Sequence, residues 1–115
     1  MMNITLNNKD YQLHFGLDFI NYLDKKHYIE QNGFKIGHGL ATVLTQIDMG
    51  NPAILFDLIM AGTKTGVKPS EQVVKDYLET EADIEELMAN FLQNLEKAPL
   101  TKFTLKKLGI GKRKK

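Results

Sequence analysis

The first fifteen residues alternate apolar and polar positions on either side of a polar segment, Asn7 to Asp10. The alternating apolar residues are Ile4, Leu6, Tyr11, Leu13 and Phe15. A period of two indicates strands, and the Asn-rich segment between them favours a turn. The pattern therefore predicts a β-hairpin over residues 3–15. Because an isolated hairpin is only marginally stable, we expect its Leu13 and Phe15 face to pack against helices.

From residue 17 the apolar spacing becomes that of a helix, and five helices are predicted. They span, to within a few residues, 17–28, 40–49, 52–63, 70–79 and 83–97. The side of the first helix expected to face the core holds Leu17, Ile20, Leu23 and His27. The corresponding side of the second helix holds Leu40, Val43, Leu44 and Ile47. Residues 31–39, which include three glycines, are expected to form a connection between these two helices.

Local capping signals support several of these boundaries. In Gly50-Asn51-Pro52, glycine can end one helix in the left-handed conformation, asparagine can cap the next, and proline suits its first position. Asp83 and Glu86 are three residues apart, which is a capping-box pattern at the start of the fifth helix. The sequence therefore predicts a tight corner at residues 50–52 and a capped helix from residue 83.

The chain has 115 residues, of which 43% are hydrophobic and 25% are charged. That length and composition suit a single hydrophobic core. The expected fold class is α+β and mostly α, with an N-terminal β-hairpin packed on a bundle of about five helices. We expect one globular domain over residues 1–100 and a flexible basic tail over residues 101–115.

The net charge of +1 conceals a division between these two parts. Residues 1–100 carry a net charge of −6, and residues 101–115 carry +7 without an acidic residue. A basic tail could attract nucleic acid, so a small nucleic-acid-binding regulator is the alternative function. Against it, the tail from residue 106 lacks interleaved aromatic residues, and the acidic body would repel phosphate. A solvated tail is therefore favoured, and nucleic acid is an unlikely partner.

The sequence offers no constellation of catalytic or ligand-binding residues. The absence of cysteine excludes disulfide and thiolate chemistry. His14, His27 and His38 lack the spacing of metal-binding motifs. The segment from Gly62 to Gly66 lacks the spacing of a phosphate-binding loop, and it follows a helix instead of leading into one. We therefore expect no enzyme activity, no metal site and no cofactor.

The sequence also gives no sign of export or membrane insertion. The N-terminus lacks the basic and apolar segments of a signal peptide. The longest apolar stretch, residues 53–61, is about half of the ~20 residues that a membrane-spanning helix needs. We expect a cytoplasmic protein without membrane contact.

The third predicted helix is the most apolar and is expected to be central. Phe56 and Met60 project to a different side from its core-facing residues, beside small or polar positions that include Ala53 and Asp57. Two interpretations remain open: the helix is buried nearly all round, or a second face binds a partner helix or a neighbouring copy of the chain. Under the second interpretation, the candidate partner-binding residues are Phe56, Met60, Ala53 and Asp57.

Several segments together resemble a known protein family. They are Tyr11 to Ile20, Leu23 to Lys26, Gly37 to Leu40, Gly50 to Pro52 and Pro99 to Lys102. The most distinctive is the hairpin strand with its YxLxFGLxFIxxLD continuation. The segments are similar to the small tail assembly chaperones of long-tailed, siphovirus-type phages and prophages of Gram-positive bacteria. The resemblance spans residues 2–105.

The resemblance implies a protein that binds and solubilises the long, helical tape measure protein during tail morphogenesis. Such a protein acts in the cytoplasm of the bacterial host and is absent from the mature virion. The resemblance also implies that a ribosomal frameshift can produce a longer form, which recruits the tail-tube protein. It supplies no catalytic residue and no cofactor. A structural component of the virion is a further alternative.

Overall fold

The computed structural model describes residues 2–37, 39–64 and 67–110. This part of the chain contains four strands: β1 (Met2–Leu6), β2 (Lys9–Leu13), β3 (Tyr28–Gln31) and β4 (Phe34–Gly37). It also contains six helices: α1 (Leu17–Lys26), α2 (Gly39–Asp48), α3 (Ile54–Gly62), α4 (Glu71–Thr80), α5 (Ile84–Lys97) and α6 (Pro99–Leu108). The predicted class, mostly α with an N-terminal hairpin on a helical bundle, is confirmed. None of the described helices has the length and apolarity needed to cross a membrane.

The predicted N-terminal hairpin is present, although its second strand ends at Leu13 instead of residue 15. β1 and β2 pair antiparallel with Ile4 opposite Tyr11, and Asn7 and Asn8 form the turn with φ angles of 53° and 65°. Positive φ at both central residues is what a two-residue hairpin turn requires, and asparagine tolerates it better than most residues. The alternate residues of β1 and the last residue of β2 are buried: Met2, Ile4, Leu6 and Leu13.

The end of β2 is joined to the end of α3. The backbone N–H of His14 donates to the Gly62 carbonyl over 2.9 Å, and Leu13 pairs with Thr63 in an antiparallel bridge. These bonds satisfy polar groups that a strand edge and a helix end would otherwise leave open. The hairpin is therefore held to the helices by its backbone as well as by its buried face.

Three phenylalanines connect the hairpin to two helices. The ring of Phe15 lies edge-to-face with that of Phe19 in α1, with centroids 5.0 Å apart, and also with that of Phe91 in α5, at 6.1 Å. All three side chains are buried. Edge-to-face pairs at these distances add to the stabilisation that burial of the rings provides. The predicted packing of the Leu13 and Phe15 face against helices is confirmed.

α3 lies centrally, in contact with α1, α2, α4 and β2. The corner before it contains Gly50, with a φ of 79°, and Asn51, whose side-chain oxygen accepts from the Ala53 N–H over 3.1 Å. The predicted corner is therefore confirmed. The helix begins at Ile54, two residues later than predicted, because the first turn after Pro52 closes with tighter bonds between residues three apart.

The predicted core face of α2 is confirmed, since its four residues are buried. In α1 the prediction was wrong for Leu17, which is 67% exposed, whereas Phe19 and Leu23 are buried. The latter two are four residues apart and define the inward face. His27 lies just beyond the helix in an extended conformation. The side of α1 that faces the core is therefore centred on Phe19 and Leu23, and it does not include Leu17 as predicted.

The predicted connection between α1 and α2 is instead a second hairpin. β3 and β4 pair antiparallel, and the turn between them is Asn32-Gly33, with φ angles of 53° and 82°. Asn-Gly is a preferred sequence for this turn because both residues accept positive φ. The first helix consequently ends at Lys26, earlier than the predicted residue 28.

The predicted start of the tail at residue 101 was also wrong. Pro99 occupies the first turn of α6, and Gly109 ends that helix with a φ of 70°. Proline at a helix start and glycine just past its end are typical boundary signals. The ordered fold therefore extends ten residues past the predicted domain boundary at residue 100, while residues 111–115 of the predicted tail lie outside the described residues.

Candidate functional site

Phe56, the first of the predicted partner-binding residues, is half-buried and packs against the core. Two ammonium groups lie over its ring: Nζ of Lys26 is 5.2 Å and Nζ of Lys75 is 5.9 Å from the ring centroid. Cations at this distance are attracted to the face of an aromatic ring. Two lysines of this chain, one in α1 and one in α4, therefore cover part of Phe56.

Asp57 connects α3 to the end of α1. Its Oδ1 is 2.8 Å from Nζ of Lys26, its Oδ2 is 3.2 Å from Nε2 of His27, and its side chain is 15% exposed. The hydrogen bond to Asp57 raises the pKa of Lys26, although partial burial acts in the opposite direction. The contacts of Asp57 are therefore intramolecular and fasten two helices together.

The other two predicted residues lie in different environments. Met60 is 7% exposed and belongs to the core, whereas Ala53 is exposed at the start of α3. Of the four candidates, the structure thus places Phe56 and Asp57 side by side, turns Met60 inward and leaves Ala53 at one end. Partner binding by these four residues stays a prediction. Because Met60 is buried, it can contribute only by supporting the position of its neighbours and not by direct contact with a partner.

A cleft of about 310 Å³, lined by both polar and apolar residues, lies between the start of α1 and the end of α3. Lys68 lines it and donates hydrogen bonds to the carbonyls of Met60 and Thr63, the latter over 2.7 Å. Its Nζ is also 4.8 Å from the ring centroid of Tyr22. Burial lowers the pKa of Lys68. The lysine therefore caps the last carbonyls of α3, which is a structural role.

The described residues bring together no group of three or more His, Asp or Glu side chains that could hold a metal ion. His14 lines the cleft between α1 and α3, and His27 pairs with Asp57. His38 lies outside the described residues, as do Thr65 and Gly66 of the segment compared with a phosphate-binding loop. Within the described ranges, the structure thus adds no catalytic arrangement to those considered from the sequence.

Among the side chains that the structure describes, the largest accumulation of exposed apolar residues lies on α6, a helix that was not predicted from the sequence. Leu100 is 42% exposed, Phe103 is 63% exposed and Leu108 is 42% exposed. Each of the other described helices has at most one exposed large apolar side chain. The signals that could have revealed α6 were Pro99, Gly109 and the spacing of these three residues. We call Leu100, Phe103 and Leu108, with Lys107 between them, the α6 face.

A neighbouring side of α6 is anchored in the body of the protein. Thr101 is fully buried, and its hydroxyl donates to the Leu95 carbonyl of α5 over 2.6 Å. Leu105 and Ile110 are buried too, and the Ile110 N–H bonds to the Leu105 carbonyl beyond the end of the helix. This closing bond and the left-handed Gly109 form a Schellman-type end. α6 is therefore a packed helix with one buried and one open side.

Lysines border the α6 face. Nζ of Lys107 lies 5.7 Å from the ring centroid of Phe103. Lys102 and Lys106 line a groove of about 340 Å³ together with Glu96 and the apolar residues Leu105 and Ile110. Aromatic and aliphatic groups bordered by cations suit the binding of a complementary protein surface.

These features define a small, mostly helical protein that presents apolar and charged surfaces suited to protein binding. A family model described as phage tail assembly chaperone protein, TAC, matches residues 3–109. Because the match covers nearly the whole chain, the protein belongs to the phage tail assembly chaperone family. No curated protein and no solved structure matches the chain. The family points to phage tail proteins as partners and to a non-catalytic role.

Proposed function

We propose that this chaperone binds the tape measure protein of a long-tailed phage or prophage of Gram-positive bacteria and keeps it soluble while the tail assembles. It acts in the cytoplasm of the bacterial host and is released before the virion is complete. A longer form, made by ribosomal frameshifting, would recruit the tail-tube protein to the same complex. The family of the chain supports the chaperone role, and the identity of the partner is the proposal.

The observation that carries the proposal is the open α6 face. Exposed Phe and Leu side chains on an anchored helix offer apolar surface that the core of the protein does not use. A tape measure protein is a long amphipathic helix whose apolar stripe aggregates when it stays in water. Covering that stripe requires helical protein surface of this kind and needs no cofactor.

The alternative function, nucleic-acid binding through basic residues, is less well supported by the charge distribution. α6 carries Lys102, Lys106 and Lys107, but residues 1–100 carry a net charge of −6. Within α6, Phe103 already has Lys107 over its ring. A compact acidic body close to the lysines weakens attraction to phosphates.

Co-expression with the tape measure protein tests the proposal. We expect the large protein to be insoluble alone, and to become soluble and co-elute with many copies of this chain when both are present. An excess of unrelated small acidic protein serves as the control for non-specific solubilisation. If the tape measure protein stays insoluble while this chain elutes alone, the proposal is wrong, and salt-dependent DNA binding becomes the next measurement.

A further inference from the structure

We infer that the α6 face binds an amphipathic helix of the partner whose apolar stripe is bordered by Asp and Glu. This inference rests on the proposed function and names the surface and the chemistry through which the partner is recognised. Three observations carry it: the arrangement of apolar side chains on α6, the sign of the charges beside them, and the rigid attachment of the helix.

The apolar side chains of α6 form a row along one side of the helix. At about 100° per residue, Phe103, Lys107, Leu100 and Leu108 fall within roughly 140° of one another. The buried residues Thr101 and Leu105 lie on the adjoining side. The row runs from Leu100 to Leu108, which is about 12 Å or a little over two helical turns. This is the length and shape of surface that a partner helix covers when two helices pack side by side.

The charges of α6 have one sign. Lys102 and Lys106 lie next to Phe103 around the helix, Lys107 lies within the row, and the helix contains no acidic residue. Each of α4 and α5, by contrast, carries several acidic residues. A partner with acidic residues beside its apolar stripe would therefore be attracted to α6, whereas a basic one would be repelled.

A second copy of this chain is a weaker candidate for the same face. The acidic helices α4 and α5 would offer complementary charge, but neither has an exposed large apolar side chain to cover the row. Leu17, Met49 and Val67 are exposed, yet they stand singly in other parts of the described chain. No described helix of a second copy thus combines an apolar stripe with acidic borders, so a helix of the partner protein is favoured.

The attachment of α6 makes the face a preformed site. Thr101 and Leu105 hold one side of the helix in the core, and Ile110 closes its end. A helix already fixed in its bound conformation loses little conformational freedom on binding. The row of exposed side chains can therefore be changed without removing the contacts that hold the fold.

Alanine variants of the row test its apolar part. We expect Leu100→Ala combined with Phe103→Ala to weaken capture of the tape measure protein at least ten-fold, because both variants remove apolar surface that the partner would bury. The matched control is Leu17→Ala combined with Met49→Ala, which removes exposed apolar groups elsewhere. Circular dichroism and thermal unfolding should show both double variants folded.

Neutralised lysines test the charge. We expect Lys102→Gln combined with Lys106→Gln to weaken capture several-fold at low salt and to reduce its salt dependence. Lys25→Gln combined with Lys64→Gln removes the same charge from exposed positions outside α6 and should leave capture unchanged. Peptides that tile the tape measure protein then identify the bound segment, which we expect to be amphipathic with acidic borders.

The outcomes separate this inference from the proposed function. If the wild-type chain does not capture the tape measure protein, the proposed function fails. If the wild-type chain captures it and the α6 variants capture it equally well, the function stands and the α6 inference is wrong. The inference is also wrong if the captured peptides have basic borders, or if the α6 variants alter only the self-association of this chain in analytical ultracentrifugation.

Discussion

At Gly39, α2 lies directly against the backbone of α1, and a methyl group there has no room. A Cβ atom built on Gly39 would lie 2.1 Å from both the carbonyl carbon and the carbonyl oxygen of Leu23, and 2.6 Å from the nitrogen of Asp24. The Gly39 N–H also donates to the Asp24 carboxylate over 2.9 Å. The obstruction is backbone, so no side-chain rotation can relieve it. Gly39→Ala should therefore force the two helices apart.

The cost follows from the size of the required shift. Ordinary contact begins near 3.4 Å, so the backbones must separate by roughly 1.3 Å. Overpacking typically costs about 1–3 kcal/mol, and a backbone obstruction belongs at the upper end. The better helix propensity of alanine returns at most about 1 kcal/mol. We expect a net destabilisation of about 2–3 kcal/mol, which lowers the melting temperature by roughly 10 °C in a domain of this size.

Two other glycines supply matched controls. A Cβ on Gly16 meets nothing within 4 Å, and the φ of this residue is −109°, so Gly16→Ala should be neutral or slightly stabilising. A Cβ on Gly62 lies 2.6 Å from Cδ2 of Leu13, the end of a side chain that can move. Gly62→Ala should therefore have an intermediate effect.

The three variants are compared by urea unfolding followed by circular dichroism. The reasoning predicts the stability order Gly16→Ala, then Gly62→Ala, then Gly39→Ala. If Gly39→Ala were within about 0.5 kcal/mol of Gly16→Ala, the close approach of α1 and α2 would be refuted.

Three further predictions concern single polar contacts. Thr101→Val keeps the shape of the side chain but leaves a buried carbonyl without its donor, and urea unfolding should show a loss of about 1–3 kcal/mol. Ser70→Ala removes the N-cap of α4 and should cost about 1 kcal/mol in the same measurement, whereas Ser70→Asp should retain most of the stability. The hydrogen bond with Asp57 raises the pKa of Lys26 above 10.5, so its stabilising effect is complete below that pH and is lost as the pH rises through the raised value. As the pH rises through this alkaline range, the free energy of unfolding should therefore fall more for the wild-type chain than for Asp57→Asn. Equal slopes of the free energy of unfolding against pH in the two proteins would contradict this account.

Strong local signals allowed much of the fold to be predicted from the sequence. The alternation around Asn7 and Asn8 predicted the first hairpin, because the period of two and the turn residues indicate the same structure. Asp83 accepts from the Glu86 N–H over 3.2 Å, so the predicted cap at the start of α5 is confirmed. Where the propensity of the residues, their apolar spacing and the capping signals agreed, the predicted elements were correct.

The elements that were missed have short or mixed patterns. β3 and β4 are four residues each, too short for periodicity to distinguish them from a loop, and only Asn32-Gly33 marked them. α6 was hidden by its lysines, which suggested a solvated tail. The role of Gly39 depends on the approach of another helix, which no local pattern in the sequence can reveal.

The candidate site depended even more on tertiary contacts. Phe56 and Met60 lie four residues apart and were expected to share an outer face of α3. The lysines over Phe56 come from α1 and α4, and Met60 is covered by the core. A helix that is apolar all round does not reveal which side its neighbours cover. That side became visible only when the positions of α1 and α4 were known.

α3 and α6 both carry apolar residues beyond those of a single core-facing side, but these residues lie in different environments. α3 lies in the middle of the fold, and exposing Met60 to a partner would require the core to open. α6 lies last in the described chain and is held by Thr101 and Leu105 on one side, so it can display Phe103 at no cost to the core. The proposed function requires the protein to bind an apolar partner and later to release it without unfolding. An anchored helix with a separate open face meets both requirements, which is why we propose partner binding by α6 in preference to α3.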